Sequence, residues 1–563
     1  MTQPLVESDV QAPPGIGSPG LVERAPVVVR VSSHVAVWVT VLVSLGVQLS
    51  HGWRPVGDNA AIASRAFQTF TAHPPVLGML STASGNGHTV YDPGPLLFWL
   101  LAIPVHLDAT HGALWGAALI AGATLSLAVE AAWSTRLWPS CAVIAFVVVD
   151  MFWLTPSVFE NIVWNAYFPI PFFIAALVLA WVVCGGSFGW WPALVFIGSV
   201  AGQSHLLFPI PCTVLVLLAP VVGVILHGRP ARLRWLWMGF GVAIACWIAP
   251  ILQQLFGRNG NVSALFGSQS GEHKLGFGFA LSVLGRVGHL PPIWLTRQPT
   301  NIFTLGDFEN TAKAATGIVV LVLLAATAAW ALWAKRRYLA AATIVSLVTS
   351  TAVVVAIAIV PYAKALSLFY LLDLFWPLGI MIWATLIWGA AALVTSIWRS
   401  RATNSLVDLT PATDPTNAAR WQWAAALVSV AAITVVCILG ISGASVFTPM
   451  ENSVSWDGYD ATSIVNISRA IERAVPPGPV AFAVTRGSRT VISALWISEG
   501  VGWQLKSDGW SPGLDHLEAI GTGLELPSGT EYVAVVVTME GTRVSSISTA
   551  NCRTTIKRCI NLR

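Results

Sequence analysis

Hydrophobic positions in this chain gather into runs of about twenty, the length a helix needs to cross a bilayer. The runs fall at 31–50, 111–134, 138–158, 163–184, 187–204, 207–227, 235–256, 314–334, 338–361, 366–392 and 421–445. The pattern predicts an all-α polytopic membrane protein with about eleven transmembrane helices. Pro95–His106 is apolar but too short to span, so it is expected to be a juxtamembrane or half-inserted helix.

The polar breaks between runs set the orientation. Arg229, Arg232 and Arg234 form one basic cluster, Lys335, Arg336 and Arg337 a second, and Arg399, Arg401 and Arg420 a third. Two spans separate each pair of clusters, so all three share a face, and the positive-inside rule makes that face cytoplasmic. The expected topology is a multi-pass plasma-membrane protein with a cytoplasmic N-terminus, outer loops at 51–110 and 257–313, and a tail outside. Residues 1–30, rich in Pro and Gly, are expected to be disordered and cytoplasmic. The transmembrane domain is then 31–445. The tail, 446–563, alternates a helix near 460–474, a strand 479–484, a helix 489–500 and a strand 531–538, as in a small extracytoplasmic α/β domain.

Composition narrows the class. Charged residues make up 10% and apolar ones 55%, with mean hydropathy +0.70; soluble chains carry about 25% charged residues. The net charge of +4 is spread thinly, and no basic run suits nucleic acid. Five of the seven Cys lie in apolar runs, whereas Cys552 and Cys559 sit close together in the polar tail. In an outer compartment a disulfide between them is the natural reading. No metal-ligand spacing is present, so no cofactor is predicted and a divalent cation is left open.

Candidate chemistry gathers in the first outer loop. Asp58 precedes an Ala-rich helical stretch, and serves there as a helix cap, as a base toward a hydroxyl acceptor, or as both. Arg65 lies two turns on and on nearly the same face, suited to snorkelling or to a phosphate contact. His73 before Pro74-Pro75 and Asp92 before Pro93-Gly94-Pro95 sit on stiffened backbone, as turn residues or as cavity groups. Further along, VFENIVWNAYFPIP places Asn161 and Asn165 at one outer tip, and GSVAGQSHLLFPIP places Gln203 and His205 at another. The loop QQLFGRNGNVSALFGSQSGEHK adds Gln254 and Asn261, as a cover over an outer cavity or as plain linker. Lys364, at the outer end of a later span, suits a lipid phosphate or headgroups.

An Asp in the first outer loop, followed by a helix and His-Pro-Pro and Pro-Gly-Pro loops, resembles the GT-C membrane glycosyltransferases. Gly57-Asp58-Asn59-Ala60, Arg65, His73-Pro74-Pro75 and Asp92-Pro93-Gly94-Pro95 carry the resemblance. GQSH and QQLFGRNGNVSAL resemble actinobacterial members related to protein mannosyltransferases and arabinofuranosyltransferases. The resemblance implies inverting transfer of a sugar, a pentose or mannose, from a polyprenyl-phosphate donor in the lipid to a cell-envelope acceptor hydroxyl outside. It makes Asp58 the general base and gives the donor phosphate to Arg65, His205 and Lys364. Asn59 stands where many members carry a second acid, which argues against a two-carboxylate or metal-bound site. Two rival readings stay open: a transporter or flippase for lipid-linked or small polar substrates, and a non-catalytic cell-envelope scaffold.

Overall fold

The computed structural model describes residues 21–155, 158–159, 161–257, 260–295, 314–362 and 369–405. In the tail it describes 461–486, 491–514, 530–540 and 543–552, together with the isolated residues 431, 524 and 526. Among these, seven helices are long and apolar enough to cross a membrane. They include α1 (Leu21–Ser50), α4 (Gly112–Ser134), α8 (Pro209–His227), α9 (Arg234–Phe256), α12 (Ala314–Trp333) and α13 (Arg337–Ala358). The seventh is the stretch Tyr370–Trp398, mostly α14 (Phe375–Ser405).

Three expected spans are shorter than the apolar runs that encode them. These are α5 (Pro139–Leu154), α6 (Pro169–Cys184) and α7 (Trp191–Ser204), of 16, 16 and 14 residues. At 1.5 Å per residue they reach only about 21–24 Å, short of a hydrocarbon core of about 30 Å. The chain at 161–168, before α6, and at 205–208, after α7, is non-helical and carries the polar tips. The expected span 421–445 lies outside the described residues. Pro95–His106 forms α3 (Leu96–Leu107), a helix of 12 residues.

The first helix starts well before residue 31, so the expected disordered start is shorter than 1–30. Ala25 and Val29 are fully buried, and Arg30 Nε and Nη2 grip the Glu130 carboxylate of α4 at 2.8 and 2.5 Å. His34 Nε2 meets the same carboxylate at 2.6 Å. Pairing across α1 and α4 satisfies polar groups that a bilayer would otherwise make costly, and so extends α1 toward its N-terminus.

Helices that are apolar all round face either the protein interior or lipid, and this bundle contains both kinds. All of α6 except Val178 is buried, packed on α4, α7, α8 and α13. By contrast α9 buries only Gly239, Cys246 and Pro250 and exposes Trp237, Phe240, Ile244 and Ile248. Because α6 is central, the chain entering it at 161–168 is carried to the middle of that end of the bundle.

Further helices complete that face: α2 (Asp58–Gln68) in the first loop, and α10 (Asn261–Ser268) with α11 (Gly276–Gly288) in the second. The tail contains α15 (Ala461–Ala474), β1 (Pro479–Arg486), α16 (Val491–Ser507), β2 (Ser511–Gly513), β3 (Tyr532–Glu540) and β4 (Arg543–Cys552). Its sheet runs β2-β1-β3-β4, with β1 parallel to both neighbours and β3–β4 antiparallel. Parallel strands need crossovers, which α16 supplies between β1 and β2. Ile467, Ile471, Phe482, Val501 and Val535 form its separate core. Cys559 and the side chain of Cys552 lie outside the described residues, so the expected bridge does too.

Candidate functional site

The site begins at Gly57, whose φ of 53° and ψ of −131° suit a residue without Cβ. Gly57, not Asp58, is the N-cap of α2, and its carbonyl accepts from Ala60 and Ala61 N–H. Asp58 is therefore relieved of capping. Its Oδ2 accepts instead from Trp164 Nε1 at 2.7 Å, across to the loop between α5 and α6. Burial pushes the Asp58 carboxyl above its ordinary range, and the Trp164 bond partly offsets this. Part of Asp58 stays exposed, so a ligand can reach it.

Asp92 closes a hairpin in the same outer loop. Its N–H donates to Met79 O at 2.7 Å, its C=O accepts from Gly78 N, and Leu80 pairs with Tyr91. The carboxylate is 1% exposed and accepts from Asn165 Nδ2 at 2.8 Å and Leu206 N at 3.1 Å. Burial raises its pKa well above the usual value; the two hydrogen bonds oppose this, and the Asp58 charge adds to it. The two carboxyls thus lie close enough to repel. Asn59 stands next to Asp58, and the second carboxyl near it, Asp92, comes from elsewhere in the loop.

Two further side chains brace the backbone around Asp92. Asn261, on α10, accepts from Tyr91 N at 2.9 Å and donates to Tyr91 O at 2.8 Å. Gln203, fully buried, donates from its side chain to Cys246 O at 2.7 Å, and its backbone carbonyl accepts from Gly94 N at 3.3 Å. A Cβ on Gly94 would lie 2.1 Å from Gln203 Oε1, so only glycine fits this approach. Both Asn261 and Gln203 thus serve as clips on the backbone around Asp92.

His205 follows the end of α7 in extended conformation and packs edge-on against Tyr370, with ring centroids 5.7 Å apart. Tyr370 also meets the Trp164 ring at 4.8 Å, so Trp164, Tyr370 and His205 form an aromatic wall beside the carboxylates. Burial pushes the imidazole down to about 4. The depressed value means that the unfolded chain takes up a proton between about pH 6.5 and 4 that the native protein refuses. His205 therefore contributes stability that is present above about pH 6.5 and lost on acidification. Its share is about 3 kcal/mol by pH 4. The raised carboxyls give the opposite slope. Comparing wild type with His205→Gln in thermal unfolding from pH 7 to 4 isolates the histidine. The variant is expected to lose less stability, and equal slopes in both would refute the assignment.

Other expected site residues fall elsewhere. His73 is exposed on the loop before Pro74 and touches none of these groups. Gln254 bonds Val262 N at 2.9 Å and Ser263 Oγ at 3.2 Å, tying α9 to α10 rather than lining the site. Arg65 bonds Gln68 Oε1 at 3.0 Å and lies over the Phe98 ring at 5.8 Å, at the far end of α2 from the carboxylates. Asn161 is buried on the same loop as Trp164, and Asn59 Oδ1 is buried with no hydrogen bond among the described residues. Lys364 lies outside the described residues. Among the described residues no three His, Cys, Asp or Glu converge as a metal site would require. The sequence reading missed Trp164 and Tyr370; Trp164 stands between Asn161 and Asn165, but 27 tryptophans dilute that signal.

No protein-family model matches the chain, and no curated protein matches its sequence. Among solved structures it is similar to the apo oligosaccharyltransferase of Archaeoglobus fulgidus, at 11% identity and a TM-score of 0.34. That overlap covers 83% of this chain and 64% of the other. It is also similar to the archaeal oligosaccharyltransferase AglB from Archaeoglobus fulgidus in complex with an inhibitory peptide and a dolichol-phosphate. There the identity is 13% and the TM-score 0.31, over 89% of this chain and 69% of that one. The chain thus spans somewhat less than two thirds of the first of these proteins.

Proposed function

We propose that this protein is a membrane glycosyltransferase that moves a sugar from a polyprenyl-phosphate donor to a cell-envelope hydroxyl on the outer face. One observation carries the reading: Asp58 and Asp92 are held as an interacting pair at one end of the membrane helices, in unlike environments. Two carboxyls in unlike environments divide the roles of base and neutral partner. Asp58, partly open and held by one hydrogen bond, is the base and takes the acceptor proton as the acceptor oxygen bonds to the anomeric carbon. The bond from that carbon to the phosphate oxygen breaks with its electron pair leaving on the phosphate, and one in-line displacement inverts the centre. Asp92, deeply buried and bonded to Asn165 Nδ2 and Leu206 N, is the partner that orders the loop. Asn59, Asn161 and the aromatic wall offer hydrogen bonds and ring faces to a sugar.

A cavity of about 420 Å³ between α5, α6 and α14 supports a lipid-borne donor. Val143, Val147, Leu177, Trp181 and Met381 are among its walls, apolar enough for a polyprenyl chain. The test is transfer by the purified protein in lipid, across a panel of radiolabelled polyprenyl-phosphate pentoses and hexoses. Transfer from at least one donor supports the reading. Transfer from none sinks it and moves the choice to the transporter, for which buried Asp150 and Asp373 are the natural groups.

A further inference from the structure

The lipid-facing side of α9 does not end where that helix ends. Phe240, Ile244, Ile248, Ile251 and Leu255 recur along it at helical spacing, all exposed, and Phe256 closes the row at 80% exposure. The next helix, α10, is fastened to this last turn. Gln253 Oε1 accepts from Asn261 N at 3.3 Å and Gln254 Oε1 from Val262 N at 2.9 Å, so two side chains of α9 cap α10. The 23 residues of α9 measure about 35 Å, enough to cross a hydrocarbon core of about 30 Å. Its end, and α10 with it, therefore lie at the membrane boundary.

The polarity of α10 is the reverse of that of a helix facing water. Asn261, Ala264 and Ser268 share one side and are buried. The Asn261 amide brackets Tyr91, Ala264 packs with Ala83 and Val90, and Ser268 O accepts from Asn86 Nδ2 at 3.0 Å. The opposite side carries Val262 and Phe266, one turn apart and 53% and 76% exposed. Polar groups point into the protein and large apolar ones away from it. Facing water, those side chains would cost free energy; facing acyl chains, they do not. After α10 the chain turns back into the bundle. Leu275 N donates to Val360 O at 2.9 Å, just past α13, and α11 then runs beside α12, where Gly288 lies against Val320. In the last turn of α11, Val287 O accepts from Trp383 Nε1 at 2.6 Å, about midway along the span Tyr370–Trp398. A helix-end carbonyl satisfied by an indole instead of water suits a membrane interior.

We propose that α10 is a lipid-embedded arm, lying at the boundary of the leaflet on the site's end of the bundle with Phe256, Val262 and Phe266 among acyl chains. It joins a spanning helix on one side to a helix that ends at mid-depth on the other. Its inner side holds the Asp92 hairpin, so one helix diameter, about 10–12 Å, separates that hairpin from lipid. The arm stands without the glycosyltransferase reading. Under that reading, a donor whose tail stays in the leaflet brings its head group to Asp58 past α10.

The experiment uses full-length protein in phosphatidylglycerol nanodiscs doped with the same lipid carrying a diazirine in its upper acyl chain. After photolysis, peptide mass spectrometry is expected to find adducts on Phe256, Val262 and Phe266 as on Ile251 of α9, and none on α15 of the tail. Phe266→Glu should lower the yield on α10 by about tenfold, because a carboxylate among acyl chains is costly, whereas Phe266→Leu keeps it. Unchanged adducts on α9 separate that loss from misfolding. Wild-type adducts on α9 with none on α10 would overturn the proposal. So would a Phe266 shielded from hydroxyl radicals yet free of lipid adducts, which would place a protein there, a second copy of this chain included. Adducts on α10 in a protein that transfers no sugar leave the arm standing and sink the transferase reading. Sugar transfer without adducts on α10 does the reverse.

Discussion

Asp58→Asn is expected to cut sugar transfer by about 10²- to 10⁴-fold, the range for losing a general base, while donor binding stays near wild type. The amide keeps the shape and the partner at Trp164 Nε1, 2.7 Å away, but cannot take the acceptor's proton. Asp92→Asn should behave differently. Burial holds the Asp92 carboxyl well above the ordinary carboxylate range, and in the proposed division of roles Asp92 is the neutral partner, whose form the amide mimics. Transfer should then stay within about tenfold of wild type, with any loss arising from the altered bond to Asn165. Steady-state kinetics on both variants reads the two values directly. A reversed order, with Asp92→Asn inactive and Asp58→Asn active, would exchange the two roles. Near-wild-type activity in both would remove the pair from the chemistry altogether.

The second large effect concerns the joint between the tail and the membrane helices. Trp503 belongs to the tail by sequence, yet its side chain, 2% exposed, is part of the core of the membrane bundle. It donates to Ala109 O and meets Phe67 edge-on at 6.0 Å. Truncating a buried Trp costs about 3–5 kcal/mol, and here the loss falls on docking rather than on the tail's own core of Ile467, Phe482 and Val535. Trp503→Ala should therefore raise hydrogen exchange in α2 and in α16 together while the β1–β3 strands stay protected. Loss of protection in β1 and β3 would show instead that Trp503 supports the tail's own fold.

Much of the architecture was legible because the signal is local. A run of apolar residues reports the environment of its own turn of helix, so seven of the expected spans correspond closely to long apolar helices. Helix Ala461–Ala474 and strand Tyr532–Glu540 coincide with the expected 460–474 and 531–538. The ends of α5, α6 and α7 were not legible. Their apolar runs continue past the helix ends because residues such as Ile162, Val163, Leu207 and Phe208 are buried in non-helical chain around the site, and hydropathy does not distinguish the two.

The same division runs through the site. Sequence alone determined that polar tips interrupt a helical membrane protein, and it singled out Asp58, Asp92, Asn165 and His205, because charged and amide groups between apolar runs are costly unless used or paired. Only the tertiary structure decided which of these meet. Asp92 stands beside Asp58 because a hairpin folds the loop back; Trp164 reaches Asp58 because central α6 draws its preceding loop inward; Gln203, Asn261 and Gln254 turn to backbone instead. Trp503 meets Phe67 because α16 lies along α2. Each of these is a contact between residues far apart in the chain, set by packing, and no local pattern of residues encodes it.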